Sequence, residues 1–193
     1  VIGTFIMVAT YSLFYIMTAF AQAYSRTPAT LSEAGYPMGL GIPANTFTGL
    51  LLMSAIVFAI FISISGIYAD KIGRREWLIW TTVSILIFAL CMPLFLGNGT
   101  PTSVFAFLVI GMALMGMTFG PMAALLPELF PTEVRYSGAS LAYNIASIIG
   151  ATIAAMISLK INALYGLMGV GIYLAINAFL TLLALLASKE TKN

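Results

Sequence analysis

The chain has 193 residues, of which 61% are hydrophobic and 7% charged, and its mean hydropathy is +1.06. About a quarter of the residues in a soluble domain carry charge, so this composition excludes such a domain and indicates an integral membrane protein. The net charge of +2 is too small for a nucleic-acid surface. We therefore expect no nucleic-acid partner. Because histidine is absent and Cys91 is the single cysteine, we also expect no metal site and no disulfide. No cofactor is expected.

Charged residues divide the sequence into six apolar segments, each close to the ~20 residues that a membrane-spanning helix needs. Val1 opens the chain without a methionine or a basic leader, so we expect a fragment of a longer protein. The predicted fold is all-α and integral to the membrane, with six transmembrane helices arranged as two three-helix repeats, as in many transporters. The predicted spans are residues 1–24, 44–69, 77–96, 102–126, 137–159 and 167–187.

In span one, Tyr11, Tyr15, Thr18 and Gln22 recur at spacings of four, three and four, which places their polar groups on one helical face. Asn144 is the most polar residue of span five. Two interpretations remain open for these side chains: hydrogen bonds between helices, worth about 0.6 kcal/mol for an average pair, or the wall of a solute pathway. No charged residue lies within a span, so we expect any proton-carrying carboxylate outside this chain.

Small residues recur at intervals of four on one face of span four and of span five. Such faces let helices approach closely, and they serve either static packing or a sliding and rocking motion. Pro121 and Pro127 are expected to bend or end span four. The small residues are Gly116 and Gly120 in span four, and Gly138, Ala142, Ala146 and Gly150 in span five.

The cations lie mostly on one side of the predicted bundle. Six of the eight are in the loops after spans two, four and six, whereas Arg26 and Lys160 lie on the other side. Since cytoplasmic loops are rich in Lys and Arg, we predict that the first side is cytoplasmic and that both chain ends lie there. The connector at 25–43, rich in Pro and Gly, is then extracytoplasmic and irregular.

Two loops on the predicted cytoplasmic side carry acids as well as cations: Gly66-Ile-Tyr-Ala-Asp-Lys-Ile-Gly-Arg-Arg75 and Pro127-Glu-Leu-Phe-Pro-Thr-Glu-Val-Arg-Tyr-Ser-Gly138. Their acids and arginines are able to pair across helix ends, although solvated pairs worth about 0–1 kcal/mol are the alternative. Contacts of this kind exist only while the helix ends remain close, so we predict a latch that favours one conformation. The predicted latch comprises Asp70, Gly73, Arg74, Arg75, Glu128 and Arg135.

The loop at 66–75 resembles the loop signature of the major facilitator superfamily, in the copy between helices eight and nine of a twelve-helix fold. The segment at 127–140 is similar to the loop between helices ten and eleven in the metabolite:proton symporter and sugar-porter branches. The tail at 189–193 resembles a sugar-porter ending. The resemblance implies that the chain is the C-terminal half, helices seven to twelve, and that the N-terminal six-helix half is absent.

The resemblance also implies a function. A C-terminal half of this kind belongs to a secondary transporter of the bacterial inner (plasma) membrane, not to an enzyme. The implied activity is symport of protons with a small organic solute of carboxylate or zwitterion type, by alternating access. The alternatives are a sugar porter and, from other classes, a channel or a membrane scaffold that does not transport.

Overall fold

The computed structural model describes residues 2–148 and 154–188, and almost all of them outside the connectors are helical. This architecture confirms the all-α part of the predicted fold class. Gly150 and the tail at 189–193 lie outside the described residues. The elements are α1 (Ile2–Tyr15), a π-helical segment (Ile16–Phe20), α2 (Ala21–Arg26), α3 (Ala44–Ile72), α4 (Arg74–Leu90), α5 (Met92–Leu96), α6 (Pro101–Glu128), α7 (Arg135–Ile148) and α8 (Ala154–Ala187).

Within the described residues, four helical stretches are long and apolar enough to cross a membrane: Gly3–Arg26, Ala44–Ile72, Pro101–Glu128 and Met156–Ala187. Predicted span three is shorter than expected, because α4 has 17 residues and stops at Leu90. Pro93 has no N–H to donate and cannot extend the backbone ladder of α4, so the chain turns at Cys91 and restarts as α5. In contrast, α6 continues through Pro121 and ends at Glu128, one residue after Pro127.

The predicted connector at 160–166 is largely helical. Lys160 is exposed and lies within α8, whose only backbone break among its described residues is Gly166, with φ 68° and ψ −171°. A single lysine with its ammonium in water does not interrupt a helix. A side chain at Gly166 would be strained, and its Cβ would lie 2.6 Å from the Tyr36 ring.

Helix α6 packs closely along α3 through its small residues. A Cβ atom added at Gly116 would lie 2.7 Å from the Phe58 carbonyl oxygen, and one added at Gly120 would lie 2.2 Å from the Ser65 hydroxyl. The Ser65 hydroxyl also donates to the Gly116 carbonyl at 3.0 Å. The two helices therefore touch backbone to backbone, an approach that larger side chains would prevent.

Helix ends gather at two ends of the bundle. At one end, which we call the charged end, the end of α3, the start of α4 and the ends of α6 and α8 are joined by Arg74 and Arg75. At the opposite end the connector at 27–43 packs on the break in α8, where the Asn162 amide donates to the Pro37 carbonyl at 2.9 Å. This arrangement separates the charged loops from the connector that is rich in Pro and Gly.

Candidate functional site

An ion-pair cluster joins three helix ends at the charged end. Arg74, at the start of α4, contacts Asp70 of α3 with Nη2 3.1 Å from Oδ1, and its Nη1 donates to Glu128 Oε1 at the end of α6. Gly73 makes this geometry possible, because its φ of 119° lets the chain reverse between α3 and α4. The structure thus brings together Asp70, Gly73, Arg74 and Glu128 of the predicted latch.

The two ion pairs of Arg74 differ in their solvent exposure. The side chains of Arg74 and Glu128 are 29% and 34% exposed, whereas Asp70 is 64% exposed. Burial lowers the pKa of Arg74, but its hydrogen bonds to Glu128 and Asp70 outweigh that effect, so the pKa lies above its usual value. Because water screens an exposed pair, the pair with Glu128 is the stronger link between helices.

Arg75 has a different set of partners. Its Nε donates to the Leu185 carbonyl at 2.8 Å and its Nη2 to the Leu186 carbonyl at 3.0 Å. The last carbonyls of a helix lack partners within the helix and carry partial negative charge. Arg75 therefore binds the C-terminal turn of α8, an interaction that the predicted pairing with Asp70 or Glu128 did not include.

Arg135 lies apart from the cluster. It begins α7 and is exposed, and the structure, which describes both Asp70 and Glu133, contains no ion pair between Arg135 and either acid. Its side chain instead lines a cavity.

That cavity has a volume of about 730 Å³ and lies between the start of α1, the second half of α6 and the start of α7. Its walls are mostly apolar, with hydroxyl groups and one guanidinium. This mixture fits a small organic molecule with an apolar body and a few polar groups. Its lining residues include Met7, Thr10, Arg135, Tyr136, Ser140 and Tyr143.

The polar face predicted for span one is divided by the π-helical segment. Tyr11 precedes this segment, and Gln22 follows it. A π turn adds one residue to the helical repeat and so rotates the residues that follow it. Thr18 donates to the Phe14 carbonyl at 2.7 Å, and the Gln22 amide lies 3.3 Å from the Thr18 carbonyl oxygen. Tyr15 is half-buried.

None of these four residues lines the cavity, but Tyr11 contacts the lining residue Tyr143. It is 6% exposed, and its ring meets that of Tyr143 edge to face with centroids 5.4 Å apart. Its hydroxyl is buried near the Tyr143 side chain, but it has no partner of good hydrogen-bond geometry among the described residues. A buried hydroxyl normally has a partner, so this group is a candidate contact for a molecule in the cavity.

Asn144 does not join Tyr11 in the structure. It is exposed, and its amide donates to the Ser140 carbonyl at 2.8 Å within α7. Its neighbour Tyr143 contacts Tyr11 instead, and sequence reasoning missed that residue. The signal was available: Tyr136, Ser140 and Tyr143 are spaced by four and three residues, which places them on one face of a helix.

Three small residues of span five, Gly138, Ala142 and Ala146, lie in the described part of the chain. Ala142 and Ala146 are buried, and a Cβ atom added at Gly138 would lie 2.4 Å from the Phe130 ring. The start of α7 is therefore held against the loop that follows α6.

The family of the chain follows from comparison with known proteins. Residues 38–193 match the family described as "Sugar (and other) transporter". The chain belongs to this family, within the major facilitator superfamily. Its class is that of multi-pass membrane transport proteins, not of enzymes.

Several curated relatives are similar over the whole chain. A Haemophilus influenzae protein named "Putative metabolite transport protein" is 86% identical over 100% of this chain and 44% of its own length. The "Inner membrane metabolite transport protein YhjE" of Escherichia coli is 52% identical over 100% of this chain and 42% of its own. The chain thus spans less than half the length of these relatives.

A more distant relative carries a more specific name. The "Proline/betaine transporter" of Salmonella typhimurium is 31% identical over 75% of this chain and 29% of its own length. No solved structure matches the chain.

Proposed function

We propose that this chain is the C-terminal six-helix half of a secondary transporter of the bacterial inner membrane. The transporter moves a small organic solute of carboxylate or zwitterion type by alternating access, together with protons. In this proposal α4 with α5, and α7 with the start of α8, supply the third and fifth spans. Both chain ends are cytoplasmic, and a six-helix N-terminal half completes the protein.

The observation that carries the proposal is the link from Arg74 to Asp70 and Glu128. It joins the ends of three helices through charges at the surface and not through the apolar core. Such a link is worth little to stability when it is exposed to water. It is suited to favour one arrangement of helix ends over another, because a change of conformation makes or breaks the whole contact.

The residues that line the cavity support a solute of carboxylate or zwitterion type. Arg135 is its one charged lining residue among those described and supplies a cation for a carboxylate. The rings of Tyr143 and Tyr136 present faces that attract a quaternary ammonium group. A zwitterion such as a betaine has both groups, and one relative is named for proline and betaine.

Proton coupling requires a group outside this half. The acidic residues of the chain lie in loops or at helix ends, and proton carriers in membrane transporters are usually carboxylates inside the bilayer. We therefore assign the proton-carrying residue to the N-terminal half.

A sugar porter is the second candidate function. The family description names sugars, and the hydroxyl groups of Thr10, Ser140 and Tyr143 suit hydrogen bonding to a neutral polyol. Arg135 favours the anionic or zwitterionic solute over this alternative.

Uptake by the full-length protein in proteoliposomes tests the proposal. Labelled glycine betaine, succinate and glucose are supplied outside, with and without an inwardly directed proton gradient. We expect saturable uptake of betaine or succinate that the gradient accelerates. Uptake of glucose alone supports the sugar porter, and uptake that never saturates for any solute contradicts both carriers and favours a channel.

A further inference from the structure

The start of α1 is bound to the end of α8 by three hydrogen bonds, two of them buried and one part-buried. The Thr181 hydroxyl donates to the Phe5 carbonyl at 2.7 Å and accepts from the Ala9 N–H at 3.1 Å. One turn earlier on α8, the Asn177 amide donates to the Ser12 hydroxyl at 3.1 Å. Thr181 and Ser12 are fully buried, and Asn177 nearly so.

The partners of Thr181 are unusual for a side chain. The Phe5 carbonyl and the Ala9 N–H are four residues apart, and in a regular α-helix such groups pair with each other. The Thr181 hydroxyl binds both of them and so takes part in the backbone ladder of α1. Because it binds two backbone groups of one turn, the Thr181 side chain holds that turn of α1 against α8.

The opposite side of the same turns faces the cavity. Met7 and Thr10 lie between the residues that α8 holds, and both line the cavity. The position of this wall therefore depends on the contacts that Thr181 and Asn177 make behind it. Neither residue of α8 lines the cavity itself.

We propose that Thr181 and Asn177 are positioning residues for the solute pathway. They hold the first turns of α1 on α8, so that the wall formed by Met7 and Thr10 keeps one place relative to α8 while other walls of the cavity move. The link to transport rests on the proposed function, whereas the position of α1 does not.

Spin labels on α1 and α8 of the full-length protein test this directly. With Cys91 and every other cysteine of the full-length protein replaced by Ser, labels at the exposed positions Phe5 and Ile172 report the distance between the helices by pulsed electron resonance. We expect one narrow distribution for the parent. T181V broadens and shifts the distribution, and T181S, which keeps the hydroxyl, restores it.

T118V is the matched control. Thr118 is as buried as Thr181, but its hydroxyl donates to the Met115 carbonyl within its own helix, so this change should leave the distribution intact. S12A, which removes only the partner of Asn177, is a milder variant in case T181V does not fold, and it should broaden the distribution less. A parental distribution in both T181V and S12A overturns the proposal.

Transport supplies the second readout. T181V should raise the KM for the transported solute by about threefold to eightfold, the range that corresponds to one or two average hydrogen bonds between membrane helices. T181S and T118V should leave the KM unchanged. The spin-label distances are measured without solute. They therefore test the position of α1 independently of the proposed function.

Discussion

Arg74 at the start of α4 pairs with Glu128 at the end of α6, 54 residues further along the chain. The same guanidinium binds Asp70 one turn before it, at the end of α3. One side chain thus links three helix ends. In the proposed function, this link forms in one conformation of the transporter and breaks in another.

Removal of the charge on Glu128 should have the larger kinetic effect. Glu128→Gln removes the pair that joins two helices and is less exposed, whereas Asp70→Asn removes a pair between neighbouring turns that water screens. Each pair is worth about 0–1 kcal/mol, so we expect exchange of solute to slow by up to about fivefold for E128Q and by less for D70N. The affinity for solute should remain nearly unchanged in both, because neither residue lines the cavity.

Exchange rates and affinities of the full-length protein in vesicles measure this prediction. Glu133→Gln, an exposed acid in the same loop without an ion pair to a described residue, is the control. A large loss of affinity with an unchanged exchange rate in E128Q would contradict the latch.

Arg75 should contribute to stability more than to kinetics. Arg75→Ala removes two charged hydrogen bonds to the end of α8, which we expect to cost about 1–2 kcal/mol and to lower the thermal midpoint. Arg75→Lys should recover part of the loss, because an ammonium cannot reproduce the two-pronged contact. Lys71→Ala, which removes an exposed cation of the same loop, is the control. Equal midpoints for R75A and K71A would contradict a role in holding α8.

The sequence was informative where hydropathy and charge decide the structure. The second and fourth predicted spans agree with α3 and α6 to within three residues, because uninterrupted apolar runs form those helices. The pairing of Arg74 with an acid was foreseen because charges are few and lie at helix ends. The contact of Arg75 with α8 was not, since a backbone carbonyl has no signature in the sequence.

Two further features of the structure cannot be predicted from the hydropathy pattern. The π-helical segment at Ile16–Phe20 changes the backbone repeat without changing the apolar character of the span. The lysine at 160 stays within the helix, and the break in α8 falls at Gly166, where φ is positive. A boundary based on charge alone therefore placed the connector too early.

Gly120 should tolerate no side chain. A Cβ atom there would lie 2.2 Å from the Ser65 hydroxyl and 2.7 Å from the Ile62 carbonyl, so Gly120→Ala must push α6 away from α3. Overpacking of this kind costs about 1–3 kcal/mol. Gly49→Ala is the matched control, because nothing lies within 4 Å of its added Cβ. Thermal midpoints of the two variants measure the effect, and an equal midpoint for both would show that α3 and α6 separate without cost.

Tyr11→Phe should weaken solute binding without lowering the stability of the protein. The Tyr11 hydroxyl is buried without a partner of good hydrogen-bond geometry among the described residues, so its removal should leave the thermal midpoint unchanged or raise it. If the hydroxyl contacts the solute, Y11F should weaken solute binding by about fivefold or more, as expected for the loss of a hydrogen bond worth ~1 kcal/mol. Tyr173→Phe, a half-buried tyrosine of α8 that does not line the cavity, is the control. Unchanged affinity in Y11F would remove Tyr11 from the solute pathway.

Counterflow tests the central claim of alternating access most directly. Vesicles that contain the full-length protein are loaded with unlabelled glycine betaine or succinate and diluted into a trace of the labelled solute. A carrier should concentrate the label inside transiently above its equilibrium level, because the outward-moving solute returns binding sites to the outer face. Label that only rises to equilibrium, at a rate proportional to its concentration, would contradict the account.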